Sequence, residues 1–197
     1  MTLYAFDFDG TLTTRDTLLC FIRFARGWRG LVGVLLRHLP LLLMMKLHCY
    51  NNGAVKQRVF GHCFAGMTES TFNQLCNDFA NSHRHLLRPE AVRQIETALA
   101  EGAQVLVVSA SIDRWVRPFF ASMSPMPTVV GTQVEISDGR LTGRFDGENC
   151  YGEEKVRRID AVMPPRDQYR LIAFGDSRGD REMLAYADES HYKPFRR

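Results

Sequence analysis

The chain has little cysteine, little net charge and no long unbroken apolar stretch, and each shortage excludes a class of protein. Its five cysteines are scattered, odd in number and never spaced as CxxC, so neither a disulfide framework nor a zinc site is indicated. We therefore expect a reducing compartment. A net charge of +3 is too small to indicate binding to nucleic acid, and we expect no such partner.

We also expect no secretory signal, because Met1 leads directly into an apolar strand without a basic region and an apolar core. With 197 residues, the chain fits one domain or one domain carrying an insertion. Its 45% hydrophobic and 24% charged residues are ordinary for a globular protein. We expect a cytoplasmic protein, and association with a membrane is an open alternative. The sequence does not indicate an oligomeric state.

Residues 18–50 come nearest to a membrane-spanning segment. A span needs about 20 mostly apolar residues, whereas Arg37, His38 and Pro40 divide this stretch into two shorter apolar runs. We predict two consecutive helices that pack in a small helical domain. Peripheral contact with a membrane through residues 18–50 stays open, because arginines among aromatic and leucine side chains form a basic surface that suits anionic lipid.

From Pro89 onward the pattern alternates between helix and strand. Short all-apolar runs such as Val105–Val108 and Leu171–Phe174 are typical of strands buried on both faces of a parallel sheet. The alternation predicts a doubly wound, Rossmann-like parallel sheet with α/β topology. A small β-hairpin, from Val134 to Phe145, is predicted to turn at Asp138-Gly139.

The predicted domains are an α/β core, residues 1–15 and 89–197, and an inserted all-helical cap, residues 16–88. Within the cap, the sequence around Ser70 predicts the N-cap of a helix. Within the core, the pattern predicts a helix from Ile112 to Met123.

The first strand ends by presenting two carboxylates, Asp7 and Asp9. Side chains alternate along a strand, so both acids leave the same face. Because two adjacent carboxylates repel each other, one pKa rises unless a cation lies between them. The pair therefore indicates either a divalent metal or a proton held for acid/base chemistry, although solvated aspartates in a turn are a common alternative.

Two further strands end in polar residues. Ser109 follows one of them, and Asp176 and Asp180 follow another. In an open α/β sheet, ligands bind beyond the carboxyl ends of the strands. Together the three endings offer acids for a cation, donors for an anion and a nucleophile, which suits phosphoryl transfer.

These residues, in this order, resemble the four motifs of the haloacid dehalogenase-like phosphohydrolases. Asp7–Thr13 resembles the first motif, Ser109 the second, Lys155 the third and Gly175–Asp180 the fourth. The helical insertion between the first two motifs resembles the cap of the phosphoserine-phosphatase-like subfamily, type IB. The resemblance implies the same α/β fold that the alternating pattern predicts.

The resemblance also implies roles for single residues. Asp7 is expected to be the nucleophile that forms an aspartyl-phosphate, and Asp9 the general acid and base. Lys155 is expected to neutralise charge at Asp7. Mg²⁺ is expected to bind Asp7, the backbone carbonyl of Asp9 and Asp176, with Asp180 supporting the site.

Phosphate oxygens are expected to bind Ser109 and the backbone N–H groups near Gly10, Thr11 and Ala110. Within the family, a second aspartate at the position of Asp9 is typical of phosphatases, whereas dehalogenases lack it. The resemblance therefore implies a Mg²⁺-dependent phosphatase acting on a phosphomonoester.

The identity of the substrate stays open. Asp16 and Arg58 occupy positions similar to the Glu and Arg with which phosphoserine phosphatase recognises its amino acid. Asp16 is shorter than Glu, however, and Ser109-Ala110-Ser111 replaces the Ser-Gly-Gly typical of that enzyme. The apolar, basic segment resembles that of members acting on phosphatidylglycerophosphate. A small phosphorylated metabolite, phosphoserine, a lipid phosphate and non-catalytic binding of a phosphate ligand are the alternatives.

Overall fold

The computed structural model describes residues 1–47 and 51–196. Residues 48–50, which end the segment considered above for membrane contact, and Arg197 lie outside the described residues. The strands are β1 (Thr2–Phe6), β2 (Gln104–Ile112), β3 (Thr128–Ser137), β4 (Arg140–Asp146), β5 (Arg170–Gly175) and β6 (Glu189–Tyr192). The helices are α1 (Thr17–Lys46), α2 (Asn52–Phe64), α3 (Glu69–Ser82), α4 (Pro89–Ala100), α5 (Asp113–Val116), α6 (Glu153–Val162) and α7 (Arg181–Tyr186).

One six-stranded sheet organises the fold, with the strand order β4-β3-β2-β1-β5-β6. All neighbouring strands are parallel except β3 and β4, which form the predicted hairpin around Asp138-Gly139. The predicted α/β fold class is therefore confirmed. At the centre, Phe6 of β1 lies opposite Val107 of β2 and Phe174 of β5, so β1 and β5 end beside the middle of β2, close to the register shift that follows Ser109.

Strand alternation sends apolar side chains to both faces of the sheet. Tyr4 and Phe6 point into one cluster, which includes residues of α4 and of the helical insertion. Leu3 and Ala5 point into the other, which includes Ile159 of α6 and residues of α7. Burial on both faces explains why the central strands read as uninterrupted apolar runs.

The structure has two consecutive helices within residues 18–50, as predicted, but the break between them is at another position. The element α1 runs from Thr17 to Lys46 with a kink inside it, and Pro40 lies inside the second of its two helices. Its non-helical position is Gly27, with φ 69° and ψ 179°, so the change of direction comes before the predicted break at Arg37–Pro40. Proline disfavours a helix interior by about 3 kcal/mol, but the packing of α1 against α2 overrides that preference.

Three element boundaries also differ from their predictions. Strand β2 continues through Ile112, and the helical residues after it end at Phe120 rather than Met123. Strand β3 begins at Thr128 rather than Val134, because its first half pairs with β2. The N-cap of α3 is Thr68, whose side chain accepts a hydrogen bond from the N–H of Thr71, and not Ser70.

The inserted helices and the sheet layer share one hydrophobic cluster. Phe21 of α1 stacks on Trp115 of α5 with ring centroids 4.7 Å apart. The same phenylalanine contacts the rings of Phe64, Phe72 and Phe79 from α2 and α3. The hydrophobic contacts are thus continuous across the proposed boundary at residues 16–88, and the division into core and cap domains stays a prediction.

Helix α2 approaches the hairpin closely at a pair of glycines. A Cβ on Gly61 would lie 2.8 Å from the backbone oxygen of Gly143. Overpacking costs about 1–3 kcal/mol, and alanine in a helix recovers up to about 1 kcal/mol relative to glycine. We expect Gly61→Ala to lower the free energy of unfolding in urea by about 1 kcal/mol or more.

Gly33→Ala in α1 is the matched control, because a Cβ there meets nothing within 4 Å. We expect this variant to be unchanged or stabilised. A similar loss of stability in both variants would contradict the close approach of α2 to β4.

Candidate active site

The end of β1 brings Asp7 to the edge of the sheet where the neighbouring strands also end. The N–H of Asp7 donates to the carbonyl oxygen of Phe174 at 2.8 Å, which continues the ladder between β1 and β5. The chain then turns at Gly10, whose φ is 83°. A Cβ at Gly10 would lie 2.5 Å from Oδ2 of Asp176. Glycine is therefore required both for the turn and for the approach of the two strand ends.

Lys155 of α6 binds groups from three neighbouring strands or the turns after them through its ammonium group. Its Nζ donates to Oδ1 of Asp7 at 2.6 Å, to Oδ1 of Asp180 at 2.6 Å and to the carbonyl oxygen of Val108 at 2.8 Å. The lysine is 1% exposed. Burial by itself lowers the pKa of Lys155, but the charges of Asp7 and Asp180 raise it above its ordinary value. The ammonium therefore stays charged inside the protein.

The second carboxylate oxygen of Asp7 is buried and has no hydrogen-bond partner among the described residues. Burial raises the pKa of Asp7 to about 7, even though the Lys155 charge opposes the rise. Asp7, Asp176 and Asp180 each present a carboxylate oxygen, and these atoms lie within 4.8 Å of one another. Oxygen ligands of this type suit Mg²⁺. The three carboxylates and the unpartnered oxygen fit the predicted magnesium site.

Asp180 is the best anchored of the three acids. Its Oδ2 accepts hydrogen bonds from the N–H groups of Asp176 and Ser177 and from the Ser177 hydroxyl, at 3.1, 2.9 and 2.8 Å. Burial raises the pKa of Asp180, but Lys155 and these donors outweigh burial and lower it below its ordinary value. Asp180 therefore stays ionised and holds the turn after β5.

Asp9 has a different environment from Asp7. Its Oδ1 accepts from the N–H and the hydroxyl of Thr17, both at 2.7 Å, and its Oδ2 accepts from the Ser111 hydroxyl at 2.5 Å. Burial, together with the nearby charge of Asp16, raises the pKa of Asp9. The Asp9 carboxylate is outside the cluster of three acids, and binding of a metal by its backbone carbonyl stays a prediction.

The residues predicted to bind phosphate divide into two groups. Gly10 and Ala110 line the cavity that contains the acids. Ser109 is buried and accepts a hydrogen bond from the Ser111 N–H at 3.0 Å, whereas the Thr11 hydroxyl donates to Asp176 at 3.4 Å. These two residues lie at the same strand ends, and their contact with phosphate stays a prediction.

The cavity has a volume of about 580 Å³, and the helical insertion lines part of it through Asp16, Met45, Asn52 and Lys56. Arg58 is not among the described residues that line this cavity, and its role in binding the substrate stays a prediction. Residues two apart differ by about 200° around a helix, so Lys56 faces the cavity while Arg58 is exposed elsewhere on α2. A groove of about 700 Å³ beside α4 contains none of the acids and is therefore not the candidate site.

Comparison with known proteins assigns this arrangement to a family. The sequence pattern of the haloacid dehalogenase-like hydrolases matches residues 4–185. The chain belongs to this family. It is also similar to Protein CicA of Caulobacter vibrioides, with 38% identity over 196 residues, which cover 98% of this chain and 86% of CicA.

Solved structures share the fold of this haloacid dehalogenase-like hydrolase. A protein of unknown function from Bordetella pertussis Tohama I superposes with a TM-score of 0.84 at 22% identity, covering 96% of this chain and 89% of the other. A phosphoserine phosphatase, solved as a phospho-aspartyl intermediate analogue, gives a TM-score of 0.62 at 21% identity, with coverage of 96% and 84%. At these identities the similarity establishes the fold alone.

Sequence reasoning missed three residues of the site. Ser111 lies two positions after Ser109, and strand alternation could have placed both side chains on one face. Thr17 is the first residue of α1 and had no motif to mark it. The Arg196 guanidinium donates to Oδ2 of Asp176. This contact forms because the chain after β6 folds back towards the turn after β5, and no local pattern in the sequence indicates that path. Burial raises the pKa of Asp176, and Arg196 opposes the rise.

We expect Mg²⁺ to stabilise this hydrolase against thermal unfolding, because a cation bound among the three carboxylates offsets their repulsion. At a concentration about 100 times its Kd, Mg²⁺ should raise Tm by about 5–10 °C for a chain of this size. Asp7→Asn and Asp176→Asn should lose this rise in differential scanning fluorimetry.

The control is Asp167→Asn, which removes an exposed carboxylate outside the cluster. It should retain the full response to Mg²⁺. An equal rise in Tm in all of these variants would place the cation elsewhere on the protein.

Proposed function

We propose that this haloacid dehalogenase-like hydrolase is a Mg²⁺-dependent phosphatase that cleaves a phosphomonoester through an aspartyl-phosphate on Asp7. The supporting observation is the environment of Asp7: one oxygen accepts from Lys155, and the other is buried without a described partner. A second acid, Asp9, is held separately by hydroxyl groups. The similarity in fold to a phosphoserine phosphatase solved as a phospho-aspartyl intermediate analogue agrees with this proposal.

In the first half-reaction, the Asp7 carboxylate attacks phosphorus, and the bond from phosphorus to the leaving oxygen breaks. Lys155 fixes the orientation of Asp7 through a 2.6 Å hydrogen bond, and its charge offsets the negative charge of the transferring group. Asp7 and Asp176, with Asp180 in support, would hold Mg²⁺, which would neutralise charge on the phosphoryl oxygens.

Asp9 carries the proton in this scheme. Burial and the neighbouring Asp16 favour its protonated form, which is the form that a general acid requires. Asp9 donates this proton to the leaving oxygen. In the second half-reaction it accepts a proton from the water that attacks the phosphorus of the aspartyl-phosphate, which releases phosphate and restores the Asp7 carboxylate.

The helical insertion is proposed to act as the type IB cap that selects the leaving group. It contributes Asp16, Met45, Asn52 and Lys56 to the cavity wall. Recognition of phosphoserine through Arg58 lacks support, because this arginine does not line the cavity. A lipid phosphate is a second candidate substrate, favoured by the apolar side chain that α1 contributes to the cavity wall, Met45.

Phosphate release from an aryl phosphate tests the chemistry. We expect turnover with Mg²⁺, loss of turnover with EDTA, and no measurable turnover for Asp7→Asn, because an amide cannot act as the nucleophile. Asp167→Asn should retain activity.

Turnover by a folded Asp7→Asn variant would remove Asp7 from its proposed role. The absence of turnover by the wild-type protein on a broad panel of phosphomonoesters, including lipid phosphates, while Mg²⁺ still raises Tm, would favour a non-catalytic module that binds a phosphate ligand.

The role of Asp9 predicts a dependence on the leaving group. Asp9→Asn should lower kcat by about 10²–10⁴-fold on an alkyl phosphate, whose alkoxide needs a proton. The loss should be smaller for the step that cleaves p-nitrophenyl phosphate, because p-nitrophenolate leaves without protonation. Pre-steady-state measurement of phenolate release isolates this step. An equal loss in the cleavage step on both substrates would contradict Asp9 as the general acid.

A further inference from the structure

The second half of α1 presents large apolar side chains to solvent. Trp28, Leu36, Leu39 and Leu43 are 64%, 65%, 46% and 53% exposed, and they form what we call the apolar face of α1. Because they are spaced at multiples of three and four residues after Gly27, they lie on one side of the helix. An exposed surface of this kind marks an interaction site in soluble proteins.

The opposite side of α1 is attached to the protein. Leu31 and Val34 are buried in the large hydrophobic cluster. The ring of His38 contacts that of His62 in α2, with centroids 5.5 Å apart. By length and composition α1 would suffice to cross a membrane, since residues Thr17–Met45 have a mean hydropathy of 1.3 over the most apolar window. Its packing against α2 instead orients the helix along the protein surface.

The charges on α1 favour an anionic partner. The 30 residues of this helix include no aspartate or glutamate. Arg29 and Arg37 are exposed in the part of α1 after Gly27, which also carries the apolar face. The Arg23 guanidinium lies 5.6 Å from the centroid of the Trp28 ring. In a symmetric contact with a second copy of this chain, arginines from both copies would be close together and would repel one another.

The side of α1 that is attached to the protein also reaches the candidate active site. Met45 lies about 200° around the helix from Leu43 and lines the same cavity as Asp7 and Asp9. We propose that the apolar face and its arginines bind the surface of an anionic phospholipid bilayer. Leucine and tryptophan side chains enter the boundary region of the bilayer, and the arginines contact lipid phosphates and carboxylates. This binding does not depend on the proposed phosphatase activity.

Co-sedimentation of the full chain with vesicles tests the proposal without any measurement of catalysis. We expect binding to vesicles of equal parts phosphatidylserine and phosphatidylcholine, and little binding to vesicles of phosphatidylcholine alone. Leu36→Gln combined with Leu43→Gln should weaken binding by at least about tenfold, because both side chains then fail to bury apolar surface. The control combines Met126→Gln with Val162→Gln, which changes exposed apolar residues outside α1.

A second variant tests the charge. Arg29→Gln combined with Arg37→Gln should weaken binding by about fivefold for each arginine removed, and rising salt should weaken binding of the wild-type protein. Arg93→Gln combined with Arg157→Gln, at exposed arginines of α4 and α6, is the matched control. Circular dichroism confirms that each variant is folded.

Three results would overturn the proposal: failure of the wild-type protein to sediment with anionic vesicles, equal sedimentation with neutral vesicles, or unchanged binding by both the leucine and the arginine variants. Analytical ultracentrifugation adds a further check. Self-association that the leucine variant loses, without any binding to vesicles, would assign the apolar face to a second copy of the chain.

Discussion

The rest of the site depends on the hydrogen bonds that the buried ammonium group of Lys155 donates. A charge taken out of water costs several kcal/mol unless it is paired and hydrogen-bonded. Lys155 meets that requirement with two carboxylates and one backbone carbonyl, from the end of β1, the turn after β5 and the middle of β2. Because these groups come from distant parts of the chain, the fold must be assembled before Lys155 has all of its hydrogen-bond partners. The same contact fixes the orientation of Asp7.

One lysine does not balance the acids around it. Asp7, Asp176 and Asp180 bring three carboxylates together, and Arg196, the other cation that pairs with them among the described residues, pairs with Asp176 and is 43% exposed in its side chain. Burial, together with the charges of Asp180 and Asp9, raises the pKa of Asp7 to about 7 against the opposing charge of Lys155. A divalent cation at this point would supply the missing charge and a partner for the unpaired oxygen of Asp7. Binding of metal and stability of the site are therefore coupled.

The parts of the fold that sequence predicted are those where local pattern and tertiary contacts agree. Apolar runs buried on both faces identified β1, β2 and β5, and the polar residues after them identified Asp7, Asp176 and Asp180. Prediction failed where distant contacts decide the structure: β3 begins earlier because β2 pairs with it, and Arg196 reaches Asp176 through the return of the chain. The preference of Pro40 against the interior of a helix was overridden by packing, so the predicted position of the break in α1 was wrong.

Helix α1 extends from the candidate active site to the surface that is proposed to bind lipid. Its first residue, Thr17, binds Asp9, and Met45, near its other end, lines the cavity. Between them lies the exposed apolar face. A surface bound there would act on the position of α1, and α1 in turn contacts Asp9, the proposed general acid, through a backbone N–H and a hydroxyl at 2.7 Å. The hydrogen bonds from Thr17 lower the pKa of Asp9 against the larger effect of burial, and Thr17 begins the same element that carries the proposed lipid-binding surface.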